Sequence, residues 1–272
     1  MTVITEHHLR LSRPVVLLHG PAGWGEWSPL PGYPSDPATC RRAAEEAATI
    51  DWPAPVRDAV RVNALVPAVA PDEAARLAAG HADVKVKVGD AGDIDRVAAV
   101  RDAIGPHGRL RIDANGAWDT DTAVARISRL AAYDLELVEQ PVVSIDDLAA
   151  VRRRVGVAIA ADECVRTVAD ARRLEADVLV VKIQPLGGFA ATLAIIEAAG
   201  LPVVVSSMLE TSVGIAAGLA LAAALDELPY ACGLGAPTAD IVADPLVPAG
   251  GMLTVRRPVP DPALLARYGV EE

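Results

Sequence analysis

Three acids in this 272-residue chain each sit where an apolar strand gives out. Asp113 closes Arg109-Leu-Arg-Ile-Asp113 ahead of the turn pair Asn115-Gly116. Glu139 closes Leu135-Glu-Leu-Val-Glu139 before Gln140-Pro141, and Asp162 closes Val157-Ala-Ile-Ala-Ala-Asp162 with Glu163 behind it. Ionised groups at the ends of buried strands are costly unless they are paired or hold a metal. Three carboxylates with no His or Cys among them make a hard oxygen site, suited to Mg²⁺, with Mn²⁺ as a substitute, and not to zinc. Lys85 and Lys87 share one face of Val84-Lys-Val-Lys-Val88, and Lys182 lies in Val178-Leu-Val-Val-Lys-Ile183. These lysines bring the pocket near neutrality, so an anionic substrate can enter. A lysine beside a divalent ion and a second ammonium has its neutral form favoured, as a base near pH 7 requires. The chemistry implied is removal of a proton α to a metal-held carboxylate, with the resulting dianion stabilised by the ion.

Such groups need rigid strands to present them. Alternation puts Leu110 and Ile112 on one side of a strand and Arg109, Arg111 and Asp113 on the other. The valines of 84–88 face outward and Lys85 and Lys87 inward; Leu179, Val181 and Ile183 oppose Lys182; Ala158 and Ala160 lie beneath Asp162. From residue 60 the chain alternates strands (60–66, 84–88, 110–113, 135–139, 157–162, 178–183, 201–206, 231–234) with helices (71–79, 94–104, 120–132, 145–155, 168–175, 189–199, 212–225). About eight β/α units predict an α/β fold closed into a barrel, with the charges at the carboxyl ends of the strands, where barrel sites form. An open doubly wound sheet is disfavoured, because no glycine-rich phosphate fingerprint follows the first strand. Residues 1–59 read as a small strand–helix piece, with Val15–Leu18 as a strand and a helix from about Ala38 capped by Asp36 or Thr39. With the tail 250–272 packed on it, this piece caps a barrel of residues 60–249. Pro258, Pro260 and Pro262 predict an extended tail.

The composition fits that plan: 52% of residues are hydrophobic and only 3% aromatic, a core of Ala, Val, Leu and Ile. A formal charge of −11 without a basic patch excludes nucleic acid as a partner. Cys40, Cys164 and Cys232 show no paired spacing and read as reduced, and no signal peptide is visible, so a cytoplasmic protein is expected. The longest apolar run, Val213–Leu225, falls short of the roughly 20 residues of a membrane span. A small anionic carboxylate is the expected partner; monomer and homo-oligomer are equally compatible with the sequence.

Lys85-x-Lys87, Asp113-x-Asn115, Glu139-Gln-Pro141, Asp162-Glu163 and Lys182, in that order, resemble the muconate-lactonising subgroup of the enolase superfamily. Gly20-Pro-Ala-Gly-Trp-Gly-Glu26, Ser206-Ser207, Glu210-Thr-Ser-Val-Gly214 and Tyr230-Ala-Cys-Gly-Leu234 look most like the actinobacterial o-succinylbenzoate synthases. The resemblance implies a modified TIM-type (β/α)7β barrel with a reduced N-terminal α+β capping domain. It implies Asp113, Glu139 and Asp162 as Mg²⁺ ligands, Lys87 as the base and Lys182 as a cation on the opposite face. Lys85, Glu163 and Asn115 would support them, and Arg111, Ser206 and Ser207 would touch substrate. The implied reaction is syn dehydration of 2-succinyl-6-hydroxy-2,4-cyclohexadiene-1-carboxylate in menaquinone biosynthesis. The same residues would also serve an N-acylamino acid racemase or dipeptide epimerase, and a third alternative is a catalytically weak metal-binding relative. The family's larger cap closes a loop over the barrel mouth; here that loop is expected to be missing or reduced. The five histidines show no ligand spacing, Trp24 and Trp27 read as packing between cap and barrel, and Arg152–Arg154 as a solvated helix end.

Overall fold

The computed structural model describes residues 4–235 and 240–270. It opens with an antiparallel meander, β1 (Thr5–Arg10), β2 (Pro14–Gly20) and β3 (Gly23–Trp27), against which α1 (Pro37–Thr49) lays Ala44 and Ala48 while Ala43 and Ala47 face the main core. Asp36 is the N-cap of α1, accepting from Ala38 N (3.3 Å) and Thr39 N (3.0 Å), with Pro37 in the first turn. There follow β4 (Ala59–Arg61), β5 (Ala64–Val66), α2 (Pro71–Ala78), β6 (Asp83–Lys87), α3 (Asp93–Ile104), β7 (Arg109–Asp113), α4 (Thr120–Leu130), β8 (Leu135–Glu139) and α5 (Ile145–Arg152). The chain continues through β9 (Ile159–Ala161), α6 (Val168–Arg172), β10 (Val178–Val181), α7 (Ile183–Leu186), α8 (Phe189–Ala199), β11 (Val203–Val205), α9 (Ser212–Ala224), β12 (Met252–Thr254) and α10 (Pro262–Tyr268).

Among the described residues, strands β5 to β11 form one parallel sheet in sequence order. Its outward side chains, such as Val84, Val86, Leu110 and Ile112, share a core with Val97, Val100 and Ile127 from the helices. Inside the curl, Leu137, Ala160, Val178, Val180 and Val204 pack together as a separate apolar cluster, with Tyr230 against it.

Three expectations change. The apolar run 60–66 is two strands, because Val62 N donates to Gly251 O and Asn63 N to Cys232 O, both distant in sequence. That bend sends β4 to an antiparallel pair with β12, while β5 enters the sheet. The strand expected at 231–234 is reduced to two single bridges, Cys232 to Val62 and Gly233 to Ser206, which join the two edges of the sheet. Gly233 permits the approach: a Cβ there would lie 2.5 Å from Ser206 Oγ. The proline-rich tail is not extended throughout, since Asp261 caps α10 with Pro262 in its first turn. β1 was not anticipated; its backbone pairs along the whole of β2, and Val270 N donates to His8 O.

Two acids weld the meander and α1 to the barrel. Glu46 of α1 accepts from Phe189 N (2.5 Å) and Ala190 N (3.2 Å), so it caps α8 from another part of the chain. Gly188, at φ +111°, leaves room for it: a Cβ would stand 1.7 Å from Glu46 Oε2. Glu26 of β3 accepts from Ser28 Oγ (2.6 Å), Thr211 Oγ1 (2.5 Å) and Gly214 N (2.9 Å) at the start of α9. Close by, Glu210 accepts from Gln184 Nε2 and Met208 N.

Candidate active site

Parallel register lines up the ionisable groups. Lys87 lies opposite Asp113, Asp113 opposite Glu139, and Glu139 opposite Ala160, one row across β6, β7, β8 and β9. Asp162 follows two residues beyond Ala160, just past the end of β9, and Lys182 just past the end of β10. The alternation of β6 brings Lys85 inward as well, one layer below Lys87.

Lysine ammonium groups tie this row together. Lys85 Nζ donates to Asp113 Oδ2 (3.0 Å) and Glu139 Oε1 (2.9 Å), and Lys87 Nζ to Asp113 Oδ2 (2.6 Å) and Asn115 Oδ1 (2.7 Å). Lys182 Nζ donates to Asp162 Oδ2. Asn115, at φ +45°, passes the chain of contacts on by donating to Glu163 Oε1 (2.8 Å). Burial works to raise Asp113, yet the two ammonium groups hold its carboxyl well below the usual range. Burial, with Asp113 beside it, pushes Glu139 up to about 8 against the pull of Lys85. Burial opposes the charge on both buried lysines, but Asp113 and Glu139 hold Lys85, and Asp162 and Glu163 hold Lys182, above the ordinary lysine value.

The row opens into a cavity of about 920 Å³, lined by Lys85, Lys87, Asp113, Asn115, Lys182 and Ser206 among others. Asp113 and Glu163 line the cavity with the three lysines, Glu139 and Asp162 are buried beside them, and Glu163 Oε2 is buried with no hydrogen-bond partner among the described residues. In chemistry this donor set fits a hard divalent cation. In position, lysine ammonium groups stand on the oxygens a cation would take, Lys85 and Lys87 on Asp113 Oδ2, Lys85 on Glu139 Oε1 and Lys182 on Asp162 Oδ2, and with the lysines there the described acids form no metal-ligating cluster.

Residues 69–261 match the enolase C-terminal domain-like family and residues 11–48 the enolase N-terminal domain-like family. The chain belongs to the enolase superfamily. It is 57% identical over 259 residues to o-succinylbenzoate synthase of Thermobifida fusca (strain YX), covering 89% of this chain and 81% of that one. To the o-succinylbenzoate synthase of Mycolicibacterium smegmatis it is 44% identical over 276 residues, covering 96% and 85%. Muconate lactonizing enzyme from Pseudomonas putida has the same fold, with TM-score 0.85, 21% identity and 99% of each chain covered. The expected barrel and small N-terminal capping part are thus the superfamily's architecture in reduced form.

Not every residue singled out in the sequence reaches the cavity of this superfamily member. Arg111 points inward as its alternation requires, but it is 1% exposed and lies a layer below. Its guanidinium donates to Glu136 Oε2 (2.5 Å) and Ala231 O (2.6 Å) and stacks over Tyr230, so substrate contact is not what occupies it. Ser206 and Ser207 do line the cavity, with Ser207 Oγ donating to Gly233 O (3.0 Å). Trp27 closes the base of the β3–α1 loop by donating to Pro37 O (2.9 Å) and packs within the capping part, whereas Trp24 stacks on His19 and packs against a cluster that joins Leu9, Val15 and Leu17 of the meander to Val213 of α9. Sequence reasoning missed Gln140 and Tyr33. Gln140, at φ +40°, accepts from Asp162 N (2.7 Å) and so sets where β9 delivers its acid; the only signal was its place before Pro141. Tyr33, in the proline-rich loop 29–34, donates to Asp162 Oδ1 (3.0 Å), and no periodicity marks it.

Proposed function

We propose that this chain is an o-succinylbenzoate synthase, acting on 2-succinyl-6-hydroxy-2,4-cyclohexadiene-1-carboxylate in the cytoplasm on the way to menaquinone. The observation that carries the reading is the 57% identity over 259 residues with the Thermobifida fusca o-succinylbenzoate synthase. The meeting of lysines and acids at one cavity supports it.

Asp113, Glu139 and Asp162 would hold Mg²⁺, with Mn²⁺ as a substitute, and the bound ion supplies positive charge to the substrate carboxylate. Lys87 is the base for the α proton. Its Nζ is fixed from two sides, by Asp113 at 2.6 Å and Asn115 at 2.7 Å, and it remains partly exposed to the cavity. Returning that proton to the departing hydroxyl from the same lysine makes the elimination syn. Lys182 comes from the far side of the curl, four strands round from Lys87, and faces the developing enolate as a cation. Lys85 sits beneath and keeps Asp113 and Glu139 paired. Glu163 orients Asn115, and through it Lys87. Ser206 and Ser207, at the cavity wall, suit the succinyl carboxylate.

Purified protein incubated with the cyclohexadiene substrate and Mg²⁺ will form the aromatic product, identified by chromatography and mass, and EDTA will stop it. Racemisation of N-succinylamino acids with no dehydration would overturn this assignment in favour of a racemase.

A further inference from the structure

Lys182 faces a large cavity and is nonetheless only 7% exposed. What reaches it from the capping part is Tyr33. The ring centroid stands 4.5 Å from Nζ, and the phenol oxygen accepts from Nζ at 3.2 Å while donating to Asp162 Oδ1 at 3.0 Å. Lys182 donates to the other oxygen of the same carboxylate. Phenol, ammonium and carboxylate thus close a three-membered set, of which one member comes from the N-terminal part of the chain.

The loop is built to deliver that ring. At its start Ser28 N donates to Gln184 Oε1 (2.9 Å), two residues past Lys182, and Trp27 and Asp36 fasten its two ends to the beginning of α1. Pro29, Pro31 and Pro34 restrict the backbone, and Gly32 turns it at φ +83°. A preorganised loop loses little freedom when it closes on a ligand. A lysine ammonium on four rotatable bonds, by contrast, has no fixed place opposite the reacting carbon unless something holds it.

We propose that Tyr33 is a positioning residue of the reaction, pinning the Lys182 ammonium against Asp162 from the capping side and shielding it from solvent. The kinetic part rests on the dehydratase reading above; the placement of Lys182 does not.

The test uses Tyr33→Phe, which keeps the ring and loses the hydroxyl, and Tyr33→Leu, which loses both. Expected values of kcat fall about 5- to 10-fold for Phe and about 100-fold for Leu, with KM within about threefold of the parent. In substrate-free protein treated with an amine-acetylating reagent, peptide mass spectrometry will show Lys182 labelled at least about tenfold faster in Tyr33→Leu, and near the parent rate in Tyr33→Phe. An unchanged kcat in both variants, a rise in KM alone, or Lys182 equally protected in Tyr33→Leu would overturn the proposal. Should the Leu variant not fold, the Phe variant decides: kcat falling at constant KM supports the role, and unchanged kcat refutes it. If the parent protein has no dehydratase activity, the function assignment fails, and the labelling still decides whether Tyr33 holds Lys182.

Discussion

Glu26 offers a quantitative check on how the capping part is held. It is 3% exposed, and burial together with neighbouring Glu210 pushes its carboxyl to about 7, against the hydrogen bonds from Ser28 and Thr211. Because the folded value lies above the ordinary 4.5, the native state binds this proton more tightly than the unfolded chain. The stability contributed is complete below the unfolded value and is lost as pH rises through 7. A displacement from 4.5 to about 7 corresponds to about 3 kcal/mol. Glu26→Gln keeps the shape and removes the titration, at the expense of an amide N–H₂ turned toward the donors Thr211 and Gly214; that mismatch costs about 1–3 kcal/mol at every pH. The variant will therefore be less stable than the parent at about pH 4.5, and the gap will close by about 3 kcal/mol at about pH 8.5. Guanidinium unfolding of both proteins at the two pH values, in EDTA, measures this double difference and cancels the titration of groups remote from Glu26. A gap that does not change with pH would mean that Glu26 is not a proton-binding group of the folded junction.

The catalytic assignment predicts that Lys87→Ala lowers dehydratase kcat by about 10²- to 10⁴-fold, while the circular dichroism melt stays near that of the parent. Lys85→Met leaves buried Glu139 without its ammonium and Asp113 with Lys87 alone, and will cost about 3–5 kcal/mol in denaturant titrations of EDTA-treated protein. Glu46→Ala frees the first amides of α8 and should lower stability by about 1–2 kcal/mol in urea unfolding, with Glu46→Gln restoring part of the loss.

What could be read in advance follows from how local each cause is. Strand alternation is local, so the inward direction of Lys85, Lys87, Asp113 and Arg111 is legible from a handful of neighbours. Depth along the barrel is not local. Whether Arg111 meets the cavity or the floor depends on Glu136, Ala231 and Tyr230, the last two from a segment more than a hundred residues away. The same holds for the bend at Val62 and Asn63, which is dictated by Gly251 and Cys232 and leaves no trace in an apolar run. Tyr33 lies in a loop with no period to interpret, and β1, carrying His7 and His8, earns its strand by pairing with β2. The acids' nearness to lysines was anticipated as charge balance, but not that each ammonium would sit directly on a carboxylate oxygen.

The closing of the sheet by two isolated contacts has a consequence for how the enzyme tolerates change. Cys232 and Gly233 make few ladder bonds, so the ring has a zipper fastened at one tooth on either side, and Arg111 acts as the strut that braces it from within. Because Gly233 also carries Ser206 and Ser207 at the cavity wall, a change at Arg111 would be felt at the pocket through the backbone, from a side chain that never meets the ligand.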